Sequence, residues 1–263
     1  MPGTSSWQLR DGEQIIACNT SLLGHKHFLI GITRVRNEAL ILRDTLDYVG
    51  KHVDAIVAYD DASTDRTLEI LGGHPKVALI VTNRSWEADI EARRIAEGRH
   101  RGLLLQAARE QLQFDWMSCF DADERVTGDL RGFMEATHSS DYDGVRVQLF
   151  DAYMTPGDHA PYQADGELLG FRRFFGPERR DILMLWRNRS EVIFNLTSCG
   201  PCTSGVTRSS RMRSRCETRP LGLSASEQHS CGCPFGSPGN RYSFDNFSFL
   251  GQDRIDNLLK VHI

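Results

Sequence analysis

Between Phe28 and Phe150, short apolar runs alternate with stretches of helical spacing, and that alternation constrains the fold more than any other feature of the chain. Phe28 to Thr33 is an apolar run of strand length, and Glu38 to Val49 carries Leu42, Leu46 and Val49 at helical intervals. Asp54 to Tyr59 predicts a second strand, and Arg66 to Leu71 a helix stopped by Gly72-Gly73. Val77 to Thr82 follows as a third strand, then a long amphipathic stretch from Trp86 to Gln113, then a fourth strand at Trp116 to Phe120. Leu130 to Thr137 reads as a helix and Gly144 to Phe150 as another strand. Strands that are apolar on both faces and alternate with helices belong to an α/β fold with a mainly parallel central sheet and helices on both faces. Ligands of such sheets bind beyond the carboxyl ends of the strands.

Composition narrows the class. At 263 residues, with 40% hydrophobic and 25% charged residues and a mean hydropathy of -0.38, the chain reads as a soluble globular protein of one to two domains. A formal charge of -4 argues against a nucleic-acid binder. Only Lys26, Lys51, Lys76 and Lys260 are lysine among the 31 basic residues, a bias first of all of GC-rich coding. The first ten residues lack the basic flank and apolar stretch of a secretory signal, so the expected address is the cytoplasm. The longest apolar runs, Gly102 to Ala108 and Ile182 to Trp186, fall far short of the ~20 residues of a membrane span.

The acidic motifs sit where the strands end. Asp60, Asp61 and Asp65 follow the second strand, and Asp121 and Asp123 follow the fourth. Two carboxylates one residue apart can supply hard oxygen ligands to Mg²⁺ or Mn²⁺, ions that bind through one or two carboxylates plus substrate phosphates. An Asp-x-Asp can equally be a polar turn, so the ordered set carries the argument: Thr33-Arg34-Val35-Arg36-Asn37-Glu38 after the first strand, Asp60-Asp61-Ala62-Ser63-Thr64-Asp65 after the second, Asp121-Ala122-Asp123-Glu124 after the fourth.

In this set the chain resembles the family 2 glycosyltransferases of the GT-A nucleotide-diphospho-sugar transferase fold, over roughly Phe28 to Asn188. The resemblance implies a metal-dependent inverting transfer of a sugar from a UDP-, GDP- or dTDP-sugar to a hydroxyl of a glycan or lipid-linked acceptor, in envelope polysaccharide or glycoconjugate synthesis. It implies no nucleic-acid partner and at most peripheral contact with the inner face of the cytoplasmic membrane. By position, Thr33, Arg34, Glu38, Asp60 and Asp61 would line the nucleotide pocket, and His100 and Arg101 would approach the diphosphate. Asp121 and Asp123 would hold the divalent cation, Mn²⁺ or Mg²⁺. The family usually has glycine where this chain has Ala62. An inverting transfer also needs a base for the acceptor hydroxyl, and the candidates are Asp158, Glu178 and Asp181, with Glu167 beside them. Arginines at 172, 173, 179, 180, 187 and 189 suit a phosphate or anionic acceptor, or make a solvated basic face.

The expected organisation is an N-terminal arm over 1–27 with a short strand at Ile15 to Ala17, a glycosyltransferase domain over 28–197, a low-complexity disordered segment over 198–240 and a short C-terminal segment over 241–263. Five of the seven cysteines fall between Cys199 and Cys233, at spacings unlike a standard zinc knuckle. A reading-frame shift near 191–197 is the rival account of that tract. Phe244 to Leu250 and Ile255 to Ile263 regain apolar character, as a strand and a short helix or as frayed ends. Two other functions stay open: a nucleotide-sugar-binding protein without turnover, its acceptor half lost, and a haloacid-dehalogenase-type phosphatase. The latter wants Thr or Val where this chain has Arg125.

Overall fold

The computed structural model describes residues 8–139, 142–153, 160–164, 166–171, 174–194, 201–203 and 259–262; of 178–181, 201–203 and 259–262 it describes the backbone. The elements run β1 (Gln14–Ala17), β2 (Lys26–Val35), α1 (Leu42–Val49), β3 (Ala55–Asp61), α2 (Thr67–Gly73), β4 (Val77–Asn83), α3 (Ile90–Gln111) and β5 (Gln113–Cys119). They continue with β6 (Glu124–Thr127), α4 (Leu130–His138), β7 (Gly144–Tyr153), α5 (Leu168–Phe171), β8 (Phe174–Arg187), β9 (Val192–Phe194), β10 (Pro201–Thr203) and β11 (Leu259–His262). All belong to one unit formed by Met1–Val206 with Asp256–Ile263.

The described strands form a sheet ordered β1-β4-β3-β2-β5-β8-β7-β11-β6, with β9 and β10 paired separately. Its central quartet, β4-β3-β2-β5, is parallel throughout, and this is the part whose strand ends carry the motifs. The period of two along each strand sorts side chains onto two faces. Leu29, Ile56, Ala58 and Trp116 pack with Leu42 and Leu46 of α1, Ile70 and Leu71 of α2 and Met134 of α4. Ile30, Val57, Tyr59 and Met117 pack with Leu103, Leu104 and Ala108 of α3. Helices therefore cover both faces, as two apolar strand faces require.

Three of the expected elements differ from the structure, and β6, α5, β8, β9 and β10 have no counterpart in the sequence expectation. The helix expected from Glu38 begins at Leu42, because Asn37 adopts φ 55° and the amides of 37–39 bond to the next motif loop. Helix α3 begins at Ile90, where the Asp89 carboxylate accepts from the Ala92 amide. In the last segment Leu259–His262 is a strand rather than a helix, its register running beside β7 and against β6. The expected strand at 244–250 and the segment 204–258 lie outside the described residues.

Candidate functional site

The loops after β2 and β3 are laced together by side chains of one motif bonding the backbone of the other. The Asn37 amide donates to Ser63 Oγ at 3.0 Å, the Glu38 amide to Thr67 Oγ1 at 2.8 Å and the Ala39 amide to Asp65 Oδ2 at 3.1 Å. In return the Thr64 amide donates to Asn37 Oδ1 at 2.7 Å. Ser63, Thr64 and Asp65 thus build the wall of the site. Ala62 makes the turn between them at φ 56°, the left-handed region, which explains why glycine is expected there.

Behind that wall lies a buried polar chain. Arg34 Nη2 contacts Asp61 Oδ2 at 2.5 Å, and its Nε donates to His100 Nδ1 at 3.1 Å. The His100 ring stacks on Tyr59 with centroids 3.8 Å apart, and the Tyr59 hydroxyl donates to Glu13 at 2.8 Å. Glu13 also accepts the Arg99 fork, at 2.5 and 2.6 Å. Burial works against the Glu13 carboxylate, but hydrogen bonds from Arg99, the Arg10 amide and Tyr59 outweigh it and hold it at about 2. Burial pushes the His100 imidazole down to about 3, helped by the Arg34 charge. His100 therefore sits beneath Arg34 as its acceptor. Asp60 is buried too, accepting from Thr82 Oγ1 at 3.2 Å, and burial raises its carboxyl. Thr33 is fully buried, its hydroxyl without a partner among the described residues.

At the end of β5 the Asp121-Ala122-Asp123-Glu124 turn is held from both sides. The Asp121 amide donates to Glu124 Oε2 at 2.8 Å. Arg101, on α3, reaches Asp121 Oδ1 at 3.3 Å and Glu97 at 2.8 Å. From below, the fully buried Arg125 donates to the Ala122 carbonyl at 3.1 Å and pairs with Asp44 at 2.5 Å, while Thr45 Oγ1 donates to the same carbonyl. Burial raises the Glu38 carboxyl, and the charges of Asp123, Asp65 and Asp121 raise it further, so the motif carboxylates share one negative field.

No group of three or more His, Cys, Asp or Glu among the described residues is arranged to hold a metal by itself. A cation that shares its shell with phosphate oxygens needs only one or two carboxylates. Asp121 is 46% exposed and Asp123 half-buried, and their field disfavours the charge on Glu38, a repulsion that a cation there would relieve. The residues present fit such an ion.

The other expected residues are placed less completely. Asp158 lies outside the described residues, and Glu178 and Asp181 stand on β8 with their side chains outside them. Glu167 is exposed, just before α5. Of the arginine cluster, Arg187 stacks on Trp116 and bonds the Tyr142 carbonyl, and Arg189 pairs with Asp143, both structural contacts. The clustered cysteines lie outside the described side chains. Sequence reasoning missed Glu13, Tyr59 and Arg99, since an acid in a polar leading segment gives no sign of burial. No helix among the described residues is long and apolar enough to cross a membrane.

The architecture and the strand-end carboxylates together define an α/β protein with a polar site at the carboxyl edge of a parallel sheet. No family model matches the sequence. Over 103 residues, 39% of the chain, it is 34% identical to uncharacterised proteins of Mycobacterium bovis and Mycobacterium tuberculosis, and the match spans 25% of their length. Among solved structures, it is similar to a mannosyltransferase of Pyrobaculum calidifontis in complex with GDP-Man and Mn²⁺, at TM-score 0.31 and 18% identity, covering 53% of this chain and 38% of that one. It is also similar to a 4-diphosphocytidyl-2C-methyl-D-erythritol synthase, at TM-score 0.34 and 14% identity, covering 62% of this chain and 76% of that one.

Proposed function

We propose that the chain is a GT-A-type glycosyltransferase of family 2 that uses a divalent cation to transfer a sugar from a nucleotide-sugar donor to a hydroxyl acceptor with inversion. The observation that carries this reading is the convergence at one strand-end edge of the Asp121/Asp123 turn, the Arg101 guanidinium on Asp121 and the carboxyl of Glu38. Asp121 and Asp123 would hold Mn²⁺ or Mg²⁺, and that ion, when bound, would neutralise charge developing on the leaving nucleoside diphosphate. Arg101 stands ready to exchange Asp121 for a diphosphate oxygen, since a guanidinium binds both alike. Arg34, fixed by Asp61 and His100, would orient the base and ribose together with Glu38, with the buried Thr33 and Asp60 supporting the strand ends behind them. A carboxylate among Asp158, Glu178 and Asp181 would accept the acceptor's proton. The acceptor would be a glycan or lipid-linked acceptor, met in the cytoplasm or at the inner membrane face.

Calorimetric titration of UDP and GDP with and without Mn²⁺, on the wild type and on Asp121→Ala/Asp123→Ala, tests the reading. Metal-dependent binding lost in the variant is the expected result. Absence of nucleotide binding under every condition would sink it, and binding without sugar release from any donor would identify a non-catalytic binding protein.

A further inference from the structure

Trp86, in the loop between β4 and α3, is 39% exposed and carries two cations. Arg36 Cζ lies 4.2 Å from its ring centroid and Arg93 Cζ lies 5.0 Å from it. The two guanidinium charges are thus held within one Debye length at 0.1 M salt, about 10 Å. Stacking on an indole offsets part of their repulsion but neutralises neither charge.

The carboxylates that lie near Trp86 and Arg93 in sequence bond elsewhere. Glu87 accepts from the Asp89 amide, Asp89 from the Ala92 amide, Glu91 pairs with Arg94, and Glu97 pairs with Arg101. The side chains of Arg36 and Arg93 have no hydrogen bond or ion pair among the described residues, and Arg36 Nε is buried without an acceptor. Arg34, Arg99, Arg101 and Arg125, by contrast, each hold a carboxylate. Two partly desolvated cations fixed on one ring with no counter-charge form a receptor for an anion.

We infer that Arg36, Trp86 and Arg93 form a binding site for a phosphate group, separate from the Asp121/Asp123 site. A tetrahedral phosphate carries more acceptor oxygens than a carboxylate and can accept from two guanidinium groups at once. Arg93 precedes Arg101 by eight residues on α3, about 12 Å along the helix axis. The inference goes beyond the transferase reading and holds if that reading fails.

The test is a fluorescence titration of the full chain with inorganic phosphate and with glucose 1-phosphate, in the absence of divalent cation and nucleotide. A saturable change that disappears in Trp86→Phe, weakens at least about tenfold in Arg36→Gln and Arg93→Gln, and persists in Asp121→Ala/Asp123→Ala is expected. Tighter binding of the sugar phosphate assigns the site to a phosphorylated substrate, and equal binding assigns it to free phosphate. Arg93 is half-buried in the first turn of α3 and its side chain has no hydrogen bond to break among the described residues, so Arg93→Gln keeps the test open if Arg36→Gln folds poorly. Absence of saturation, unchanged affinity in Arg93→Gln, or loss of binding in the aspartate variant would overturn the inference.

Discussion

Arg34 Nε donates to His100 Nδ1 at 3.1 Å, and since a guanidinium has only donors, the imidazole there presents an unprotonated nitrogen. Protonation of His100 breaks that bond and sets two cations against each other in a buried site. The His100 value of about 3 lies below the ordinary 6.5, so the folded chain binds fewer protons than the unfolded chain between those limits. This contribution to stability is complete above pH 6.5 and is lost as pH falls toward 3. Burial also lowers His52 and His74, and they add to the same slope. Glu13, held at about 2 against 4.5, adds its own loss only below pH 4.5.

The unfolding free energy from urea titrations at pH 7.5 and pH 5 should therefore fall with acid, by at most about 1.4 kcal/mol per pH unit for each such histidine. His100→Gln keeps an acceptor for Arg34 and removes the titration, so its stability should depend less steeply on pH. Equal slopes in the two proteins would show that the imidazole is not buried in its neutral form.

Ala62 at φ 56° pays a steric penalty that glycine avoids. That penalty is about 1–2 kcal/mol for an L residue in the left-handed region, against about 0.5–1 kcal/mol for the extra freedom glycine gives the unfolded chain. Ala62→Gly should thus raise stability by up to about 1.5 kcal/mol, seen as a higher melting temperature with nucleotide binding retained. A lower melting temperature would mean that the Ala62 methyl contributes packing that outweighs its strain.

The parallel quartet and its motif loops were legible because each depends on neighbours in sequence: apolar runs such as Phe28 to Thr33, and acids placed directly after them. What stayed hidden depends on distant partners. Four-residue β6 has no signal of its own and is recognisable only beside Leu259–His262. Glu13 looks like a surface acid until Arg99 and Tyr59 close over it. Arg36 was visible inside the first motif, but its stacking on Trp86 joins residues fifty apart in sequence. Ser63 and Asp65 read as site chemistry from their spacing, and the fold uses them to tie one loop to the other.

Gly31 of β2 faces Phe120, the residue just before the Asp-x-Asp turn, and a Cβ at 31 would stand 2.8 Å from Phe120 Cε1. The phenyl ring is buried, so a shift of it must displace its neighbours. Gly31→Ala should cost about 1–3 kcal/mol through overpacking. Because any displacement of Phe120 is passed to Asp121, Mn²⁺-dependent nucleotide binding should weaken as well. Thermal melting and calorimetry on one preparation measure both, and a variant with wild-type melting and binding would show that the contact relaxes without consequence.

Arg125 offers a way to separate the shape of the turn from the stability of the fold. Its guanidinium is fully buried and bonds Asp44, Thr45 and the carbonyls of Ala122 and Glu124. The Ala122 carbonyl lies between the two aspartates, so the bond from Arg125 sets how the pair is presented. Arg125→Met removes the charge at similar volume and leaves Asp44 poorly compensated, a loss of about 3–5 kcal/mol for a broken buried pair. Asp44→Asn in the same chain removes the stranded charge and keeps an oxygen for the Leu168 amide, which now donates to Asp44. Urea denaturation should show the double variant recovering at least about 1 kcal/mol over Arg125→Met. Mn²⁺-dependent nucleotide binding should stay about tenfold or more below wild type in both, since neither restores the donor to Ala122. If binding recovers in step with stability, Arg125 serves the fold alone, and the presentation of Asp121 and Asp123 depends on Thr45 and Glu124 instead.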